Sequence, residues 1–165
     1  MLLHKLLKTL KASPVFATHH SSSEYLSSFF VVASGELTPE VWELSFYDSG
    51  DDRSIIYHID PDKGTVERTE GKVFKQSSST VHPLLLDRVM VDFAQALAAA
   101  RQLQQKVYTA HPPSKAIFVL QDLGAGPLWN ITFITQTFHV LNIKVDAVTG
   151  AILSHELSTV FQWKQ

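Results

Sequence analysis

The stretch Trp42-Glu43-Leu44-Ser45-Phe46-Tyr47 is answered 87 residues later by Trp129-Asn130-Ile131-Thr132-Phe133-Ile134. Tryptophan and phenylalanine recur in place, while Leu/Ile and Ser/Thr exchange conservatively. In each copy the large apolar residues fall on every second position, as expected for a strand with one buried and one more polar face. A second strand follows in each half, with Ile55, Tyr57 and Ile59 alternating in the first, and Leu141, Ile143 and Val145 in the second. An apolar run precedes each tryptophan strand: Phe29-Phe30-Val31-Val32 and Ile117-Phe118-Val119-Leu120. Further downstream, Ile59-Asp60-Pro61-Asp62-Lys63-Gly64-Thr65-Val66 aligns with Val145-Asp146-Ala147-Val148-Thr149-Gly150-Ala151-Ile152 at an offset of 86. The single-residue change of offset belongs in a loop, where insertions are tolerated. In both copies an Asp that accepts turn amides is followed by a Gly free to take positive φ, which is the chemistry of a tight hairpin. Val66 and Ile152 then open a last strand.

Something must cover the buried face of each sheet. From Pro83 to about Lys106, Leu86, Val89, Met90, Phe93, Leu97 and Ala100 follow helical spacing, which predicts a helix ended by His111-Pro112-Pro113. Its counterpart is the leucine-rich opening over residues 1 to 11. The sequence therefore predicts an α+β fold of two tandem repeats, each a helix packed on a four-stranded antiparallel sheet. The first unit covers residues 1–75 and the second 83–165, joined by a serine-rich linker at 76–82.

Composition bounds what such a chain does. Its 165 residues are 45% hydrophobic and 18% charged, with a net charge of -2 and no cysteine. There is no broad cationic field to attract nucleic-acid phosphates, and no thiol for catalysis, disulfides or thiolate metal sites. No apolar run approaches the roughly 18 residues of a membrane span. Lys5, Lys8 and Lys11 interrupt the leucines at the start, so this segment reads as an amphipathic helix instead of a signal peptide, although Ala12 to Ala17 imitates a cleavage region. Location stays open: cytoplasmic as the sequence is written, extracytoplasmic as the alternative.

The order of elements and the turn at 145–152 resemble the PepSY domain family. Residues 145–152 fit every place of the family's ending: an apolar residue, Asp, Ala, any residue, Thr, Gly, any residue, an aliphatic residue. In the first half only Ile59, Asp60, Gly64 and Val66 agree. The resemblance, best over about 83–156, implies a cystatin-like shape and a role in inhibiting or binding proteins, as in peptidase propeptides and cell-envelope proteins. Most relatives of this kind are exported.

A search for chemistry finds no constellation to set against that reading. The eight histidines are scattered, with no HExxH and no pair on one helix face, although residues distant in sequence can still converge in space. His19 and His20 would diverge on a strand. Asp60 to Gly64 departs from a calcium loop at its fifth position and at Gly71, where the closing Glu belongs. No GxSxG elbow aims a serine, and Gly124-Ala125-Gly126-Pro127 leads into a strand, so it is a turn and not a phosphate cradle. Asp48, Asp51 and Asp52 read as solvated hairpin carboxylates. The sequence thus predicts no catalytic residue, no cofactor and no metal ligand, and it names no binding residue. The expected role is a noncatalytic module for a protein or peptide partner, engaged through outward positions such as Tyr47, Ile56, Ile134 and Val140 or through edge strands. A rival is a small-ligand or enzymatic cystatin-like domain with a pocket between helix and sheet, marked by polar groups such as His139 or Tyr57. A third reading is self-association through edge strands.

Overall fold

The computed structural model describes residues 1–72 and 80–162, so the expected linker lies mostly outside the described residues. The chain runs α1 (Leu2–Lys11), α2 (Pro14–His19), β1 (Glu24–Ser34), β2 (Thr38–Asp48), β3 (Arg53–Asp60) and β4 (Thr65–Lys72). It continues with α3 (Phe93–Val107), β5 (Pro113–Asp122), β6 (Pro127–Thr135), β7 (His139–Asp146) and β8 (Ile152–Thr159). The fold is α+β. All eight strands join one antiparallel sheet in the order β4-β3-β2-β1-β5-β6-β7-β8. Two up-and-down meanders thus meet edge to edge, where β1 pairs antiparallel with β5 and Val31 lies opposite Phe118.

The alternation read in the sequence sets the faces. Trp42, Leu44, Phe46, Ile55, Tyr57 and Ile59 from one meander are buried together with Trp129, Ile131, Phe133, Leu141, Ile143 and Val145 from the other. All belong to one core that also holds Leu3, Leu6 and Leu10 of α1, Phe16 of α2, and Phe93, Ala96 and Ala100 of α3. The helices therefore lie on a single face. Trp42 sits opposite Ile59 across the strand pair, and Trp129 opposite Val145, so the two tryptophans occupy matching places. Phe93 joins the halves, packing edge-on against Trp42 at 5.3 Å between ring centroids, Phe118 at 4.7 Å and Trp129 at 6.3 Å.

The two predicted turns have the same geometry. Asp60 Oδ1 accepts from the amides of Asp62 and Lys63 at 3.1 and 3.0 Å, and Asp146 Oδ1 from those of Val148 and Thr149 at 2.7 and 3.0 Å. Gly64 and Gly150 close the turns on the carbonyls of Asp60 and Asp146, with φ of 66° and 79°. Ala147 is buried because the segment ahead of α3 lies on it, and its carbonyl accepts from both Met90 and Val91. Pro61, at the corresponding place in the first half, is exposed.

Two helix boundaries differ from expectation. The predicted helix from Pro83 begins only at Phe93, after a short 3-10 turn at Leu86–Arg88. Leu86, Val89 and Val91 are buried in an extended approach, so their spacing reflects docking on the sheet and not a helical face. Asp92 is the true N-cap. Its side chain accepts from the helix amides while Gln95 Oε1 accepts from the Asp92 amide at 2.9 Å, forming a capping box. Asp92 Oδ2 also accepts from the Leu2 amide at 2.9 Å, so one carboxylate serves the N-termini of two helices. In the first half the helical segment is split at Ser13-Pro14, where Ser13 caps α2 and Pro14 takes its first position. His19 and His20 end α2 instead of lying on a strand.

Phe93→Ala is expected to destabilise the fold by about 3–5 kcal/mol, because it empties the contact between both tryptophans. Asp92→Ala should cost about 0.5–2 kcal/mol through loss of the cap. Urea unfolding followed by tryptophan fluorescence measures both, and a Phe93→Ala protein as stable as the parent would contradict this packing.

Candidate functional site

The face of the sheet opposite the helices carries its own apolar block at the β1–β5 seam. Phe30 pairs with Val119, and Val32 with Ile117. All four are half-buried, and none belongs to the core under the helices. Glu43 and His58 flank the block on one side, with His58 Nδ1 3.5 Å from Glu43 Oε1. On the other side Asn142 Nδ2 donates to Asn130 Oδ1 at 2.7 Å and to Thr132 Oγ1 at 3.1 Å. The four outward residues named from the sequence share this face but not one state. Ile56 and Ile134 are half-buried, whereas Tyr47 and Val140 are buried outside the helix-side core. Phe30, Val32, Ile117 and Val119 were missed as a surface. Their signal was present, because continuous apolar runs mark strands that are covered or contacted on both faces.

The sheet edges differ. β4 carries Glu67, Arg68 and Glu70, charges that oppose pairing with another strand. β8 exposes Leu153 beside polar Ser154 and Glu156.

A polar cluster that sequence reasoning did not find lies on the helix side of the first meander. Glu24, Asp48 and Arg53 stand in one cross-strand row. Glu24 Oε2 is 3.0 Å from His20 Nδ1, and the His20 ring stacks on Phe16. Asp48, expected among solvated loop carboxylates, is instead buried. Burial pushes its carboxyl up, but the Gly50 amide, the Ser23 hydroxyl and the Arg53 charge outweigh that and hold it below the usual range. Arg53 Nε lies 3.4 Å from Asp48 Oδ2, and Arg68 pairs with Glu70. Burial raises the Tyr57 phenol. The Tyr57 hydroxyl faces the Arg68 guanidinium, and Glu24 Oε1 is buried with no hydrogen-bond partner.

The features offered for a helix–sheet pocket do not come together. Tyr57 belongs to this cluster in the first meander, and His139 opens β7 in the second. Between α3 and the sheet, Phe93, Phe118 and Trp129 fill the space. A cleft of about 340 Å³ lies at the end of α3, lined by Gly35, Leu37, Arg101, Gln104, Gln105, Thr109, Pro112 and Pro113. Arg101 there donates to the Glu36 carbonyl at 2.7 Å. The Gly124 to Pro127 segment is the β5–β6 turn, with Asp122 Oδ1 accepting from the Gly124 and Gly126 amides. Among the described residues no group of three or more His, Cys, Asp or Glu is placed to hold a metal ion, and no helix is long and apolar enough to cross a membrane.

Residues 91–156 match the PepSY family model. That family is described as the peptidase propeptide and YPEB domain. The PepSY match starts at Val91, whose carbonyl accepts from Trp129 Nε1 at 2.9 Å, and runs through α3 into β8. It therefore contains the turn at 145–152 and excludes the first meander, where the signature is weak. The fold is similar to the crystal structure of a "putative lipoprotein" from Clostridium difficile 630, with a TM-score of 0.57. The two share 18% sequence identity over 82% of this chain and 84% of that one, a likeness of fold alone. No curated protein matches the chain in sequence.

The turn carboxylates give the fold a pH dependence of defined sign. The amides of Thr149 and Val148 hold Asp146 below the usual carboxylate range, and hydrogen bonds from Lys63 and the turn amides do the same for Asp60. Their stabilisation is complete above the unfolded value of about 4 and is lost as pH falls through the lowered folded values. Asp146→Asn keeps an acceptor but not the charge. Urea midpoints should show this variant weakened at pH 7 and close to the parent near pH 2, and a deficit that does not change with pH would refute the assignment.

Proposed function

We propose that the protein is a noncatalytic module that binds a protein or peptide partner, acting in a regulatory or inhibitory way on a peptidase or an envelope protein. The observation that carries this reading is the apolar block of Phe30, Val32, Ile117 and Val119, set centrally on the helix-free face with a polar rim. Such an arrangement of apolar centre and polar border suits a protein interface. The PepSY match supports the class of partner, and with it a place outside the cytoplasm. In this reading the chain consists of two units, 1–75 and 83–165, joined by 76–82, whose sheets combine so that neither unit alone presents the whole face. The charged β4 edge favours partner contact through the face over self-association by strand pairing.

Site-specific photocrosslinking in the producing cell tests this. A crosslinker at Val32 or Ile117 is expected to capture a defined second protein, identified by mass spectrometry, whereas one at exposed Lys8 on α1 captures none. Equal capture from both faces, or adducts only with another copy of this chain, would replace partner binding by nonspecific contact or self-association. Fractionation that recovers the protein with the cytosol would overturn its placement.

A further inference from the structure

The loop after α3 and the hairpin between β6 and β7 bring together two histidines that the sequence leaves apart. The rings of His111 and His139 lie 4.4 Å apart between centroids, with their planes inclined by 54°. Both are anchored through Nδ1 on the same residue. His139 Nδ1 is 2.7 Å from the Thr137 carbonyl oxygen, and His111 Nδ1 is 2.6 Å from Thr137 Oγ1. A carbonyl only accepts, so His139 Nδ1 is the donor, and the neutral form of this ring has its lone pair at Nε2.

The threonines settle the other ring. Thr135 Oγ1 accepts from the His139 amide at 3.0 Å and donates its single hydrogen to the His139 carbonyl at 3.1 Å. Thr137 Oγ1, 3.0 Å from Thr135 Oγ1, must then be the donor in that pair. It consequently accepts from His111 Nδ1, so the neutral form of that ring also has its lone pair at Nε2. Histidines that ligate metals are commonly oriented by a hydrogen bond from the other ring nitrogen in this way.

The support is also rigid. The buried Gln104 side chain donates to the carbonyls of Tyr108 and His111, at 3.0 and 3.2 Å. The Gln136 amide donates to the Pro112 carbonyl at 2.9 Å, tying the hairpin to the loop. The site lies just beyond the C-terminal end of α3, where the helix dipole favours a cation.

We propose that His111 and His139 form a two-imidazole site for a divalent transition-metal cation of the Cu(II), Ni(II) and Zn(II) class, the remaining coordination positions being filled by water or by donors of a bound partner. Two protein ligands are fewer than the three usual in an open zinc site, so affinity is modest and follows the order in which Cu(II) exceeds Ni(II) and Zn(II).

Isothermal titration of the purified full chain with each metal salt tests the proposal, with nickel-induced broadening of the histidine resonances recorded in parallel. One equivalent is expected to bind, broadening the His111 and His139 signals first. His111→Ala and His139→Ala should each weaken binding by about tenfold or more, while His19→Ala and His4→Ala leave it unchanged. His139→Gln is made alongside, and circular dichroism of every variant separates loss of a ligand from loss of fold. Identical isotherms for the parent and the folded double variant, or broadening that begins at other histidines, would overturn the proposal.

Discussion

The pairing of β1 with β5 is the constraint on which the rest of the molecule depends. Side chains alternate between faces, so a slip of one residue at this seam would turn one meander's tryptophan face toward the other's helix-free face. The observed register places Phe30 opposite Val119, and these two pair on their other sides with Glu43 and Asn130, matching positions of the two tryptophan strands. A local two-fold relation therefore passes through the Phe30–Val119 pair and carries each meander onto the other. From it follow one continuous core, helices on one side only, and an uncovered face whose apolar centre is the seam itself. Phe93 reinforces the arrangement from above, since a single ring from the second half's helix touches the tryptophans of both halves.

Much of this was legible in short-range pattern. Period-two alternation identified β2, β3, β6 and β7 and their buried faces, because in a sheet covered on one side each residue reports its own environment. The Asp-to-Gly turns were legible for a similar reason: two amides bonding one carboxylate, then a positive φ, are local demands that few residues satisfy. The start of α3 was not read correctly because apolar spacing is ambiguous when an extended segment also lies on the core. The sharper signal was the capping pair Asp92 and Gln95, which states where helical amides need acceptors.

What the sequence withheld were relations between distant segments. Nothing local says that two meanders join edge to edge, although the uninterrupted runs at Phe29–Val32 and Ile117–Leu120 carried a hint, since central strands have no fully solvated face. Asp48 was misread for the same reason. Its neighbours in sequence are loop residues, but its neighbours in space are Ser23, Arg53 and Glu24.

The two halves have put different chemistry into the same corner of the fold. At the end of the first meander, Glu24, Asp48 and Arg53 form an ionic row. In the second half the places of Asp48 and Arg53 are taken by Thr135 and His139, while the place of Glu24 falls to Pro113, opposite Thr135 and two residues after His111. Tyr57, buried with its hydroxyl toward the Arg68 guanidinium, becomes Ile143, and the second interior is apolar there. Paired charges of opposite sign saturate one another and leave little capacity for an external ion. Neutral imidazoles anchored through one nitrogen retain a free lone pair on the other. The corner beside the helix C-terminus is thus ionic in the first half and lined by imidazoles in the second, the half in which residues 91–156 match the PepSY family model.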